Sequence, residues 1–481
     1  MSGGTLLTNS TSLVAGRIAL SALRMIAALI VARLAGASHF GAYMLVLAYV
    51  ALFEWLVDFG QTDIAVRDIA RAAGQRGPVL AALARIKRIQ GIAGAMALPL
   101  LLTITEHDRA MTLAGVAGGC AILANAVLQP ARADLRLAMR MDLDIAAELL
   151  GATVMLPLLA IAAWHGASLA LLTATFAAAR IVQAALTIHW AKPTDRANQA
   201  APGTTWLLWR EAAPLGFAGL LVVTYDALAP LLLARLLDLK AVALYAAAAR
   251  FIFPVLVAVQ AIAAAFFPVL SQASRHNRAA LADAQQAALV LSTGVAALLF
   301  AGIHGGATFL MGLLGGEFLA GVEVLRLMAW TLLLRAITTV MSPLIVIAGR
   351  QGKAMLLTLV SLSGQCVALL LLVPRFGVLG AAMGYLLVEL MLGTAIVSWL
   401  GQRAIAIRLD WKPVAGLLLI AAVSAVAVDN SPLRGTFWGG VAGALLVVAL
   451  AAISAGFAGF SLRPLWRELR KGRAIAAGGG A

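Results

Sequence analysis

The stretch NSTSLVAGRIALSALRMIAALIVARL, residues 9–34, decides how this chain is built. At about 1.5 Å of rise per residue it is long enough to cross hydrocarbon about 30 Å thick. It also carries Arg17 and Arg24, which lie roughly 12 Å and 22 Å into a helix starting at Asn9. An isolated arginine at such depth costs on the order of 3 kcal/mol or more, so it needs a water-filled cavity and a partner. The two residues are seven apart, close to two helical turns, and therefore share one face, which Ser10 and Ser21 join.

The rest of the chain has the same character. Apolar residues make up 62% of it and charged residues 12%, and the mean hydropathy is +0.96. Soluble proteins carry about twice that share of charge, so this is an integral membrane protein. Its apolar segments are too long for the alternating pattern of an outer-membrane barrel, which leaves an all-α polytopic bundle. Fourteen spans are expected, at approximately 9–34, 39–61, 89–105, 110–130, 144–164, 167–190, 211–236, 241–268, 286–313, 319–348, 354–374, 378–400, 413–428 and 436–458. Cys120 and Cys366 both fall within such segments and form no disulfide framework. The first run is too long for a cleavable signal peptide.

Net charge is +15, and its placement matters more than its sum. Of the 36 Lys and Arg residues, 24 fall in connections after even-numbered spans or in the tail, and only seven in connections after odd-numbered spans. The positive-inside rule then puts both termini in the cytoplasm and makes most of the charge topogenic, which argues against nucleic acid as a partner. With Arg33, Arg235 and Arg326, which lie inside the approximate span limits, counted among the connections, five arginines remain within spans: Arg17, Arg24, Arg180, Arg250 and Arg335.

A short internal repeat organises the spans. Ala32-Arg33-Leu34 followed by Tyr43 returns, 202 residues later, as Ala234-Arg235-Leu236 followed by Tyr245. Six spans separate the copies, which predicts two parallel six-helix lobes, residues 1–200 and 201–406. Residues 407–481 then hold two further helices and a basic tail. That tail, Leu462 to Arg473, reads either as an amphipathic surface helix or as a stop-transfer flank.

Several short motifs follow this frame in order: Ala32-Arg33-Leu34-Ala35-Gly36 with Phe40-Gly41-Ala42-Tyr43, Asp58-Phe59-Gly60, Arg67-Asp68-Ile69-Ala70, Phe267-Pro268-Val269-Leu270-Ser271, Gly316-Glu317-Phe318 and Gly377-Val378-Leu379-Gly380-Ala381-Ala382. With them the chain resembles the polysaccharide-biosynthesis flippases of the multidrug/oligosaccharidyl-lipid/polysaccharide exporter superfamily, over nearly its whole length. The resemblance implies a lipid-linked oligosaccharide on a polyprenyl diphosphate as cargo, the bacterial inner membrane as location, and alternating access of two lobes as mechanism. It also implies membrane lipids as surroundings and polysaccharide polymerase or other assembly proteins as candidate partners.

Arginine suits a diphosphate, because its planar fork matches phosphate oxygens and it stays charged in any dielectric. Arg17, Arg24 and Arg250 are the first candidates for the headgroup, with Arg180 and Arg335 behind them. For each, permanent pairing with a buried carboxylate is the other reading. Glu54, Asp226 and Glu389 are the deep acids and the candidates for coupling to Na+ or H+. Glu54 shares a polar stripe with Asp58 and Gln61, while Asp226 stands beside Tyr225 and ahead of Pro230, which interrupts the helical ladder.

No catalytic or metal-binding constellation is found: the six histidines are scattered, and there is no HExxH pair and no Walker loop. No cofactor is expected, and an enzyme is not the reading. The alternatives left are a cation-coupled multidrug antiporter on the same scaffold and, further off, a membrane-embedded glycosyltransferase or ligase. The net positive interior favours an anionic cargo over a cationic drug.

Overall fold

A computed structural model describes residues 3–72, 74, 76–106, 108–166, 168–191, 203–276, 278–399 and 409–457. The basic tail from Leu462 to Arg473 lies outside them. Among the described residues the chain is helical throughout, in the order α1 (Gly3–Asp58), α2 (Gln61–Arg71), α3 (Arg76–Glu106), α4 (Arg109–Leu137), α5 (Met141–Trp164), α6 (Leu169–Ala191), α7 (Thr204–Leu236), α8 (Leu239–His276), α9 (Arg278–Gly305), α10 (Ala307–Leu314), α11 (Val322–Ile347), α12 (Gln351–Phe376), α13 (Val378–Trp399), α14 (Lys412–Asp429) and α15 (Phe437–Phe457). Twelve segments are long and apolar enough to cross a membrane. The first of them, 56 residues long, is far too long for one pass. It divides at Gly36, whose φ of 80° and ψ of 172° lie in a region open to glycine alone. The two limbs of α1 on either side of Gly36 correspond to the first two expected spans.

One boundary differs from the sequence reading in a way that matters for function. Span three was expected to start at residue 89, but α3 begins at Arg76, so Arg85, Lys87 and Arg88 are helical. Lys87, counted above as a loop cation, is fully buried.

The chain forms two compact units, residues 8–246 and residues 247–481 with 1–7, whose boundary falls inside α8. The division expected at residue 200 falls instead between α6 and α7. In the N-terminal unit α4 packs between α3 and α6, α5 packs on α6, and α7 packs against α2 and α3. An apolar core from α2, α3 and α7, with Ile64, Leu83, Ile86 and Leu208 at its centre, fastens this end. In the C-terminal unit α11 packs against α9, α12 and α13, and the last pair, α14 and α15, packs on α9.

The contact of α15 with α9 is made by backbone. A Cβ on Gly440 would stand 2.5 Å from the Gly302 carbonyl oxygen, and one on Gly439 would stand 2.9 Å from that of Gly305. The gap between α9 and α10 is stitched to the last loop by two backbone hydrogen bonds, Gly435 N–H to the Gly305 carbonyl at 3.0 Å and Phe309 N–H to the Gly435 carbonyl at 2.7 Å. Close by, His304 meets Asp429 at 3.2 Å, and Arg434 lies 3.5 Å from the same carboxylate.

Candidate functional site

The junction between α1 and α2 shapes the site. Phe59 and Gly60 both adopt positive φ, 43° and 71°, and turn the chain after Asp58. For phenylalanine this conformation costs about 1–2 kcal/mol, so the surroundings must hold it. They do so with Lys87, whose Nζ donates to the carbonyls of Val57 at 2.8 Å and Asp58 at 2.6 Å and to Gln61 Oε1 at 3.0 Å. The last carbonyls of a helix lack intrahelical partners and carry its negative dipole end, so a buried ammonium is well placed there. The same ammonium lies 3.1 Å from the Asp58 carboxylate. Phe59 stacks on Trp209, and Trp55 donates to the Gly216 carbonyl at 3.0 Å, which seats α7 on the turn.

Beside this junction, within the N-terminal unit, lies a polar cavity of about 370 Å³. One wall is Glu54, Asp58, Thr62 and Asp63; α4 supplies Asn125, Gln129, Arg132 and Arg136; Glu148 and Arg180 come from α5 and α6. Thr62 donates to Asp58 at 2.7 Å. Every carboxylate here is matched. Asp58 faces Lys87, Asp63 faces Arg136 at 2.7 Å, and Asp144, just outside the wall, holds Arg132 at 2.9 Å. Glu54 holds Arg180 at 2.9 Å, and Glu148 accepts from Arg24 at 2.8 Å with Arg180 4.0 Å away. Five cations thus stand against five carboxylates.

The pairing is complete in charge but not in hydrogen bonds. Glu54 Oε1 and Arg180 Nε are buried without a hydrogen-bond partner among the described residues. A second orphan donor, Gln183 Nε2, sits on the side chain whose Oε1 accepts from Arg180 at 2.9 Å.

The structure places the candidates singled out above as follows. Arg24, Arg180 and Glu54 come together through Glu148. Arg17 is exposed on the same limb of α1, with Ser21 donating to its carbonyl at 2.9 Å. Arg335 belongs to the C-terminal unit, where it bonds the Tyr385 hydroxyl and lies 3.5 Å from the buried Glu389. Arg250 is half-buried on α8, and Asp226 is exposed on α7, which runs through Pro230 without a break. The cavity wall also holds charged residues that the sequence reading did not single out, among them Arg132 and Arg136, which count there with the loop cations, and Glu148. A signal was present, because Asn125, Gln129, Arg132 and Arg136 step by four, three and four along one helical face.

The polysaccharide biosynthesis protein family matches residues 6–274, more than half of the chain and all of the N-terminal unit. The chain belongs to that family. No curated protein matches it by sequence. Among solved structures, the lipid II flippase MurJ in an inward closed conformation superposes with a TM-score of 0.72 at 11% identity, covering 93% of this chain and 99% of that one. An inward-facing multidrug resistance transporter of the MATE family and MOP superfamily follows with a TM-score of 0.64 at 13% identity, over 86% and 96% of the two chains. A MOP superfamily transporter from Pyrococcus furiosus, described as having a binding pocket of reverse polarity, gives 0.59 at 14% over 88% and 96%. This polysaccharide biosynthesis family member therefore shares the MOP fold, an all-α multi-pass membrane architecture.

Proposed function

We propose that the protein is a flippase that carries an anionic, polyprenyl-diphosphate-linked oligosaccharide across the bacterial inner membrane for surface polysaccharide assembly. The two compact units act as the lobes of an alternating-access cycle, with both termini cytoplasmic. The observation that carries this reading is the position of Glu148. Its carboxylate sits between the guanidinium groups of Arg24 and Arg180, where an oxygen of a phosphate headgroup finds matched donors. Arg17, about 10 Å further along the same helix, offers an earlier contact on the way in. Arg250 and Arg335 are further candidates for contact with the headgroup.

The Arg17→Ala, Arg24→Ala double variant is expected to stop export of the glycan, with the lipid-linked intermediate accumulating while the inserted protein persists at normal level. Full export by the double variant would remove the headgroup role. Asp226, and with it Glu54 and Glu389, is the proposed site of cation coupling. Asp226→Asn should change how transport responds when a Na+ or H+ gradient is collapsed in proteoliposomes; an unaltered response removes Asp226 from that role.

A cation-coupled multidrug antiporter is the second reading, and the carboxylates along the cavity wall are what favour it. Proteoliposomes that expel a cationic dye and leave the lipid-linked glycan in place would establish it over the first.

A further inference from the structure

The cavity of the N-terminal unit is electrically balanced before any cargo arrives, and this has a consequence for how an anion enters. At the effective dielectric of a partly exposed protein site, two like charges about 4 Å apart repel by about 4 kcal/mol, so a dianion that joins Arg24 and Arg180 must displace or neutralise the Glu148 carboxylate. Something must yield, and the geometry identifies which group. Glu54 is held at 2.9 Å by Arg180, Asp58 by Lys87 and Thr62, Asp63 by Arg136, and Asp144 by Arg132. Glu148 receives a single hydrogen bond, from an Arg24 side chain that is itself half exposed, and only a 4.0 Å approach from Arg180. Among the carboxylates of the cavity it is the one that faces both guanidinium groups.

We propose that Glu148 is the resident counter-ion of the headgroup site: it holds Arg24 and Arg180 while the site is empty and surrenders them to a diphosphate diester on taking up a proton. The proton comes from bulk water and converts the carboxylate to a neutral acid; the two guanidinium groups keep theirs and turn to the phosphate oxygens. On release the carboxylate loses that proton and reclaims the arginines, which keeps the site from trapping its cargo. The proposal rests on the flippase reading above. It concerns the order of ion pairs in the site, beyond the nature of the cargo.

The test is calorimetry of the full-length protein in lipid nanodiscs with P1,P2-dimethyl diphosphate, whose two charges are fixed through the neutral range. Buffers of different ionisation enthalpy report proton uptake directly, and the wild-type protein suffices for that. Close to one proton is expected per ligand bound, with binding weaker at about pH 8 than at about pH 6, because the empty site is the deprotonated one. Glu148→Gln removes the competitor, so it is expected to bind about tenfold tighter at the higher pH, equal to about 1.4 kcal/mol, with proton uptake lost. Binding without proton uptake, and with the same affinity in Glu148→Gln, overturns the counter-ion role while leaving the headgroup reading in place. Absence of binding to either protein at both pH values overturns the headgroup reading as well.

Discussion

Exchange of Arg180 for methionine is expected to leave little folded, active protein. The guanidinium is the shared neighbour of Glu54 and Glu148, and both its own side chain and that of Glu54 are mostly buried. Removing one partner of such a pair leaves an uncompensated charge and costs about 3–5 kcal/mol, a large share of the about 5–15 kcal/mol that holds an ordinary domain folded. Methionine fills similar space, so the loss is electrostatic. Adding Glu54→Gln should therefore recover much of the lost stability without recovering export, because the arginine that the headgroup needs is still missing. Thermal unfolding in detergent and an export assay, run on the single and double variants, separate the two effects. A single variant as stable as the wild type would show that the pair does not hold the N-terminal unit together.

Lys87→Met is expected to have an effect of similar size, about 3–5 kcal/mol, through a different route. Lys87 is fully buried, and its ammonium satisfies two helix-end carbonyls, an amide oxygen and the Asp58 carboxylate at once. Without it the positive-φ turn at Phe59 and Gly60 loses its fastening, and the cavity wall from Glu54 to Asp63 loses its register. Lys87→Met, Asp58→Asn should restore part of the stability by removing the stranded charge. The two carbonyls stay uncapped, so recovery is incomplete. An unchanged unfolding temperature in Lys87→Met would show that the junction is held by the aromatic contacts of Phe59 and Trp55 instead.

Much of the architecture was legible because bilayer solvation writes it plainly into residues. The apolar runs, and the gap between residues 34 and 39 in which Gly36 breaks α1, follow from the cost of exposing charge or backbone to hydrocarbon. What hydropathy could not reveal is which polar residues close to a span end turn inward. A window that averages hydropathy treats Arg85, Lys87 and Arg88 alike as the start of a loop. Only packing shows that α3 continues through them and buries one of the three. The same averaging assigned Arg132 and Arg136 to topology, although their helical step from Asn125 and Gln129 marks a common face. For Arg24, Arg180 and Arg335 the sequence left open contact with cargo or pairing with acid. The structure shows each beside a carboxylate, and the partner of Arg24 comes from α5, 124 residues away. No local pattern announces a partner at that distance.

The glycine seam between α9 and α15 bears on how a terminal addition becomes indispensable. Side chains at an ordinary helix contact can be repacked when a neighbour is lost. Here the contact is peptide against peptide, and the break after α9 depends on Gly435 for both of its cross-chain hydrogen bonds. A chain ending after α13 would leave those amide and carbonyl groups without their partners. The last two helices lie beyond the two six-helix lobes, yet backbone groups at the α9–α10 break take their partners from the loop that joins them.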